Sequence, residues 1–201
     1  MLRRSPALPA VLLAVFFLAS NSPPAVAASA EDFVRTAGER AFTSLAADIS
    51  SEQRVQRFRE ILRDSFDLKT IARFTLGRYW RVASAEQRNE YRRLFEEFLV
   101  QAYANRFSDL GGKRFRVSRS RAINERDELV LSEVLIEQGR PPVRVGWRVR
   151  SKDDDLRIID VMVEGVSMSV TQRDEFAAVI RSNGGRVEGL LTALRRKTGA
   201  E

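Results

Sequence analysis

Two residue types are missing from this chain of 201 residues: it has no cysteine and no histidine. Without cysteine there is no disulfide, no thiolate nucleophile and no thiolate metal ligand. Without histidine, imidazole proton transfer and the usual zinc sites are gone as well. Only carboxylates, Lys, Arg, Ser, Thr and Tyr remain for catalysis. A chain without thiols is indifferent to redox conditions, so the compartment has to be read elsewhere. Long apolar runs are also scarce. The one at the N-terminus is about 12 residues, whereas a membrane-spanning helix needs ~20.

That run carries the first positive signal. "MLRR" is a short basic start, the apolar stretch fills Ala10 to Ala19 with its lead-in Leu8–Pro9, and "NSPPAVAA" follows with small residues at Ala25 and Ala27. This is the layout of a secretory signal peptide cut after Ala27. Residues 1–27 are therefore expected to be a leader and 28–201 a single domain outside the cytoplasm. An uncleaved N-terminal anchor is the competing reading. With Arg3 and Arg4 removed, 32 Lys plus Arg stand against 27 Asp plus Glu, a formal +5. Outside the cytoplasm that charge argues for no nucleic-acid partner, while anionic lipid head groups are at hand. A plain solubility charge explains +5 equally well. The 44% hydrophobic and 30% charged content is that of an ordinary globular protein.

From Ala30 to Ile49 apolar residues recur at Phe33, Ala37, Ala41 and Leu45, the spacing of an amphipathic helix. Ser50 and Gln53 offer a capping box for a second helix through Val55, Phe58, Ile61 and Leu62. Asp67 caps a shorter one, with Gly77 placed for its C-terminus. Ser84 and Gln87 form the clearest box. The long helix behind them carries Tyr91, Leu94, Phe95, Phe98, Leu99, Ala102, Tyr103 and Phe107, and stops at the "GG" of 111–112. After Gly112 the period changes from 3.6 to 2. "RFRVS", "ELVLSEVLIEQ", "VRVGWRVR" and the stretch opening with "RIIDVMV" read as four strands joined by short turns, among them "GRPP" at 139–142. Thr171 is read as the cap of a further helix through Phe176, Val179 and Ile180. A last helix holds Val187, Leu190, Leu191 and Leu194. Helices, then consecutive strands, then helices predict an α+β fold: a curved antiparallel sheet of about four strands with helices before and after it. No internal repeat or linker divides the chain.

The fourth strand raises a question of its own. In "RIIDVMVEGVSMSVTQRDEF", residues 157–176, Ile158, Ile159, Val161, Met162 and Val163 are apolar on both alternating faces. The apolar parity also switches beyond Gly165, to Val166, Met168 and Val170. A glycine at the switch suggests a bulge or bend that keeps one curved strand facing a single interior. Two architectures satisfy this: a packed sheet with a helix on each face, which the residues alone favour, or a cone with an apolar hollow.

No motif amounts to an active site. "DDD" at 153–155 does not converge like a calcium loop and reads as a solvated turn. "LGGKRF" lacks the spacing of a phosphate loop. "KRFRVSRSR" places Arg114 and Arg116 on one strand face, a solvated or head-group-facing surface. Asp160 and Glu164 share a parity that would suit paired carboxylates, but no nucleophile or metal set accompanies them, and pairing to an arginine is the simpler role. Arg144 and Arg148 alternate with Val and Trp, which fits head-group contact or a solvent face. "GRYWR" sets two aromatics between arginines, for core packing or a pocket wall.

"DLKTIARFTLGRYWRVASAEQRNEYRRLFEEFLVQAY" (67–103), "GRPPVRV" (139–145) and "DVMVEGVSM" (160–168) resemble the periplasmic phospholipid-shuttle family MlaC, also called the toluene-tolerance auxiliary proteins. The likeness runs from about Glu31 to Lys197. Its most specific elements are Leu76, Gly77, Tyr79 and Trp80, followed by Gln87, Arg88 and Tyr91. A related branch, the hopanoid-associated HpnM proteins, shares much of the pattern, so a hopanoid or other apolar-lipid carrier is the alternative. The resemblance implies an apolar pocket for lipid acyl chains, no enzyme activity and no cofactor. It also implies lipid transfer between an outer-membrane lipoprotein–porin complex and the substrate-binding ring of an inner-membrane ABC transporter, in support of outer-membrane lipid asymmetry. On that reading Ile71, Phe74, Leu76, Tyr79 and Trp80 contribute pocket lining. Phe95, Phe98, Leu99 and Tyr103 add a helical wall, and Val145, Trp147, Val161, Val163, Val166 and Met168 the sheet wall. The chemistry is consistent with the missing residues. A two-chain phospholipid has roughly 30 methylenes at about 0.8 kcal/mol each, so free transfer through water is opposed by ~20 kcal/mol or more. Non-directional packing answers that cost, and acids, bases and metals are unnecessary.

Overall fold

The computed structural model describes residues 29–45, 48–106, 113–135, 141–153 and 155–200. The expected leader, Phe107, the "GG" helix stop and the first half of the "GRPP" turn lie outside them. The elements run α1 (Ala30–Leu45), α2 (Ser51–Ser65), α3 (Leu68–Leu76), α4 (Tyr79–Val82), α5 (Ala85–Tyr103), β1 (Arg114–Ala122), β2 (Asp127–Leu135), β3 (Val143–Lys152), β4 (Asp155–Val163), β5 (Val166–Ser167), α6 (Met168–Ser182) and α7 (Val187–Thr198). Among the described residues no helix is long and apolar enough to cross a membrane.

Local chemistry sets the helix starts. The Ser50 hydroxyl accepts from the Gln53 amide at 3.2 Å, and the Gln53 side chain accepts from the Ser50 amide at 3.1 Å. Ser84 and Gln87 repeat the pair for α5, with both bonds at 3.2 Å. Such boxes satisfy amides that have no partner within the helix. The Asp67 carboxylate accepts from the Thr70 amide at 2.9 Å and begins α3. Gly77 ends α3 at φ +57°, a conformation that would strain a residue bearing a Cβ.

The strands form one antiparallel meander in the order β1-β2-β3-β4-β5. The α+β class and the curved antiparallel sheet are as read from the sequence, with a fifth, two-residue strand added. The expectation at Gly165 needs correction. The chain does not bend and continue as one strand. It reverses through Glu164 (φ +49°) and Gly165 (φ +84°), pairs Met162 with Ser167 and Val163 with Val166, and enters α6 at once. The cap of α6 is Ser167, whose hydroxyl accepts from the Val170 amide at 3.1 Å, not Thr171. The Thr171 hydroxyl instead donates to the Ser167 carbonyl at 3.0 Å.

A bulge does occur, earlier in β4. Trp147 pairs with Val161 and Arg148 with Asp160, but Val149 pairs with Ile158, so Ile159 is one residue extra. The insertion shifts the alternation. Ile158 and Val161, three positions apart, both pack with the apolar cluster that includes Ala30 and Val34 of α1. That is why β4 is apolar at both parities.

Three apolar clusters make the core. One joins α3, α5, α6 and α7 around Tyr91, Leu94, Phe95, Leu190 and Leu194. A second joins α1, α2 and α5. The third seats α1 on the sheet, where the Phe115 ring lies so close to Gly38 that a Cβ there would come within 2.2 Å of it. Phe66, in the two-residue link between α2 and α3, packs against all three. Its backbone bridges Ile158 of β4, and the next amide, on Asp67, donates to the Ile158 carbonyl at 3.0 Å.

One charged cluster is built into the sheet. Asp127 is buried, and its carboxylate accepts from Arg150 at 2.7 and 3.0 Å and from Arg148 at 2.6 and 3.1 Å. The Arg150 bond, followed by those of Arg148 and Asn124, holds this carboxyl far below the usual range against the opposing effect of burial. A folded-state pKa below the unfolded value adds stability that is full above the ordinary carboxylate range. That stability fades as pH falls below about 4. Removing one partner of a buried pair costs ~3–5 kcal/mol. Here Arg148 and Arg150 keep 38% and 33% of their side-chain surface in water and resolvate readily. Asp127→Ala is therefore expected to lose about 2–3 kcal/mol in urea unfolding at pH 7, and the gap from the parent should narrow by pH 3. An unchanged gap at pH 3 would assign the loss to packing alone.

Candidate functional site

A cavity of about 290 Å³ lies between the sheet and helices α2, α3, α5 and α6. Phe58 and Leu62 of α2 line it, one helical turn apart, and Phe66 adds its ring from the link just past the helix end. Ile71 and Thr75 contribute from α3, and Phe95, Leu99 and Tyr103 from α5. The sheet provides Trp147, Val161 and Val163, with Asp160 beside them, and the start of α6 provides Met168, Ser169 and Gln172. Aromatic and aliphatic groups dominate, with few polar ones, the composition typical of pockets for apolar ligands.

The carboxylate and the indole at the cavity are already engaged. The Asp160 carboxylate accepts from the Ser167 hydroxyl at 2.6 Å and from the Ser169 amide at 3.1 Å, so it fastens the start of α6 to β4. The Trp147 indole donates to the Ser132 hydroxyl at 2.8 Å, and its ring meets Phe115 edge-on at 6.1 Å. These contacts fix the indole as a wall. Glu164, the suggested companion of Asp160, pairs with Arg144 instead. It accepts from the Arg144 amide at 2.6 Å and from its guanidinium at 2.8 and 3.0 Å, the amide first among the bonds that lower its pKa. Arg148 is taken by Asp127. Among the described residues no cluster of three or more acidic side chains is arranged to hold a metal.

Behind the wall, the Thr75 and Tyr91 hydroxyls lie 2.7 Å apart, both buried. Thr75 also reaches the Ile71 and Ala72 carbonyls at 3.0 and 3.1 Å. Burial pushes the Tyr91 phenol well above its ordinary pKa, with the Thr75 bond acting against it. The two ends of this bond are unequal. In Tyr91→Phe the Thr75 hydroxyl keeps its carbonyl partners, and the cost should stay near ~1 kcal/mol. In Thr75→Val the Tyr91 hydroxyl is left buried and unpaired, and the cost should be about 2–3 kcal/mol. Thermal unfolding of the two variants and the double variant checks the order, and equal losses would refute it.

Of the side chains assigned to a pocket from the sequence, the structure gathers Ile71, Phe95, Leu99, Tyr103, Trp147, Val161, Val163 and Met168 around this cavity. The others lie elsewhere. Leu76 and Tyr79 are buried in the α3–α5–α6–α7 cluster. Trp80 packs against the same cluster, with the Arg88 guanidinium 5.6 Å from its ring. Phe98 faces Phe176 at 5.8 Å and has Lys197 on its ring. Phe74 is exposed beneath Arg173, Val166 is exposed at the start of β5, and Val145 is buried in β3 without reaching the cavity. Sequence reasoning missed Phe58, Leu62 and Phe66. The i, i+4 spacing of Phe58 and Leu62 was the signal that places those two on one stripe, whereas Phe66 lies past the helix end.

The model of the family described as MlaC protein matches residues 36–196. The chain belongs to the MlaC family. It is 22% identical over 171 residues to the intermembrane phospholipid transport system binding protein MlaC of Haemophilus influenzae, covering 81% of this chain and 79% of that one. It also superposes on the structure of a phospholipid-binding protein from Ralstonia solanacearum, determined in complex with a phospholipid. The TM-score is 0.76 and the identity 24%, over 86% of this chain and 98% of the other. That likeness shows that the helices and meander described above form the same fold as in that protein.

Proposed function

We propose that this MlaC-family chain is a periplasmic carrier of phospholipid, exported by a cleaved leader, with acyl chains held in the cavity between the sheet and α2, α3, α5 and α6. The observation that carries the proposal is the cavity itself: a volume walled by Ile71, Phe95, Leu99, Trp147, Val161 and Met168, beside which the Asp160 carboxylate and the Trp147 indole already have partners. Such a site offers solvation and shape. Those are the properties a carrier needs to hold a guest without making or breaking bonds. The lipid would move between an outer-membrane lipoprotein–porin complex and the substrate-binding ring of an inner-membrane ABC transporter, as the family reading implies.

At Asp160, α6 is fastened to β4 by two hydrogen bonds, so widening the cavity between those two elements would have to break them.

Native mass spectrometry of the protein purified from the periplasm tests the proposal. Co-purifying phospholipid supports it, hopanoid redirects it to an apolar-lipid carrier of the related branch, and a bare polypeptide that cannot be loaded from phospholipid vesicles rejects it.

A further inference from the structure

A second and larger hollow lies on the other side of Phe66. This open groove of about 740 Å³ is formed where the end of α2, the start of α3, the middle of α5 and the β3–β4 hairpin meet. Its apolar floor is Phe66 and Leu68, and its rim is basic. The acids in it are largely committed: Glu96 to Arg63, Asp155 to Arg157, and Asp67 to the cap of α3, leaving exposed Asp153. The bases are not committed to the same degree. Among the described residues Lys69, Arg92 and Lys152 are exposed and have no carboxylate within ion-pair distance, and Arg93 feels Glu90 only through longer-range attraction.

We infer that this groove docks an acidic segment of a protein partner, one that sets carboxylates against Lys69, Arg92 and Lys152 and an apolar anchor on Phe66 and Leu68. Its concavity is the reason for choosing a protruding segment over a bilayer surface, which would touch only the rim. An apolar floor inside a charged rim is also the usual build of a peptide-binding hot spot. The position of Phe66 adds a consequence that rests on the carrier reading. The same side chain lines both the groove and the apolar cavity, so an anchor pressing on it from one side alters the wall on the other. Linkage is reciprocal, so cavity occupancy must then alter docking by the same factor.

The test uses the full mature chain and a dye-labelled peptide of glutamates flanking a central leucine and phenylalanine, followed by fluorescence anisotropy. Lys69→Glu with Lys152→Glu should weaken peptide binding at least about tenfold at low salt, with a smaller ratio as salt rises. Lipid content by mass spectrometry should be unchanged in that variant. Lipid-loaded and lipid-stripped protein should bind the peptide with affinities differing by at least about threefold, a coupling near the lower end of the usual range. Binding indifferent to the double reversal overturns the inference, as do equal affinities for loaded and stripped protein. Charge-sensitive binding to phosphatidylglycerol vesicles without peptide binding also overturns it, in favour of a membrane surface. If no lipid can be loaded at all, the carrier reading falls, while the charge-reversal comparison still decides the docking site.

Discussion

Val161→Phe is expected to lower phospholipid retention on the order of 100-fold while leaving the lipid-free protein as stable as the parent. Val161 lies on β4 opposite Trp147 and lines the cavity. Phenylalanine adds about four carbons to the side chain and displaces a similar number of chain methylenes. At about 0.8 kcal/mol each that is about 3 kcal/mol of lost transfer energy, or roughly two orders of magnitude in binding. The same change in a filled core would do the opposite, because overpacking costs ~1–3 kcal/mol and no guest is there to lose. Lipid exchange with labelled vesicles and thermal unfolding of stripped protein therefore separate two explanations that a polar substitution would confuse. Loss of stability with retention unchanged would mean that the volume beside Val161 does not hold a guest.

The fold was legible wherever a short-range device decides the backbone. Ser50 with Gln53, Ser84 with Gln87, and Asp67 with Gly77 mark helix limits through groups three or so residues apart, and the structure keeps each of them. The α6 start was misread because its deciding contacts are not local. Val166, Met168 and Val170 alternate as a strand would, and Ser167 is a cap only once the chain has turned at Gly165. That turn brings the Asp160 carboxylate to the Ser169 amide from nine residues away. The β4 bulge had no marker either, since Ile159 is a residue that any strand would accept.

Sidedness accounts for the site in the same way. Periodicity showed which residues of α3 and α5 are apolar, but not which neighbour they face. Phe95 and Leu99 meet the cavity, whereas Phe98 turns to Phe176 and Leu76 to the packed cluster of α5 and α7. Both outcomes bury apolar surface, and the hydrophobic effect is non-directional, so composition cannot tell them apart. Phe66 was less legible still, being in neither helix nor strand.

Phe66→Ala is the substitution with the largest expected effect on stability, because the side chain supports three clusters at once. Truncating a core phenylalanine costs ~3–5 kcal/mol. Phe66 is half-buried, which places it near the lower end, about 3 kcal/mol. A domain with the common 5–15 kcal/mol of stability stays folded after that loss. The functional effect follows from what the ring separates. Without it, the apolar cavity opens into the basic groove lined by Arg63, Lys69 and Arg150, and water reaches any chain lying against the wall. Lipid should then leave faster in vesicle exchange, even at temperatures well below the variant's unfolding midpoint. Phe66→Leu keeps most of the apolar surface, costs about 1 kcal/mol, and should hold lipid nearly as well as the parent. The pair distinguishes a partition from a prop. If Phe66→Ala unfolds earlier but releases lipid at the parental rate, the ring supports the core without closing the cavity. A fast-releasing alanine variant beside a retentive leucine variant would show that the apolar wall itself keeps the guest from water.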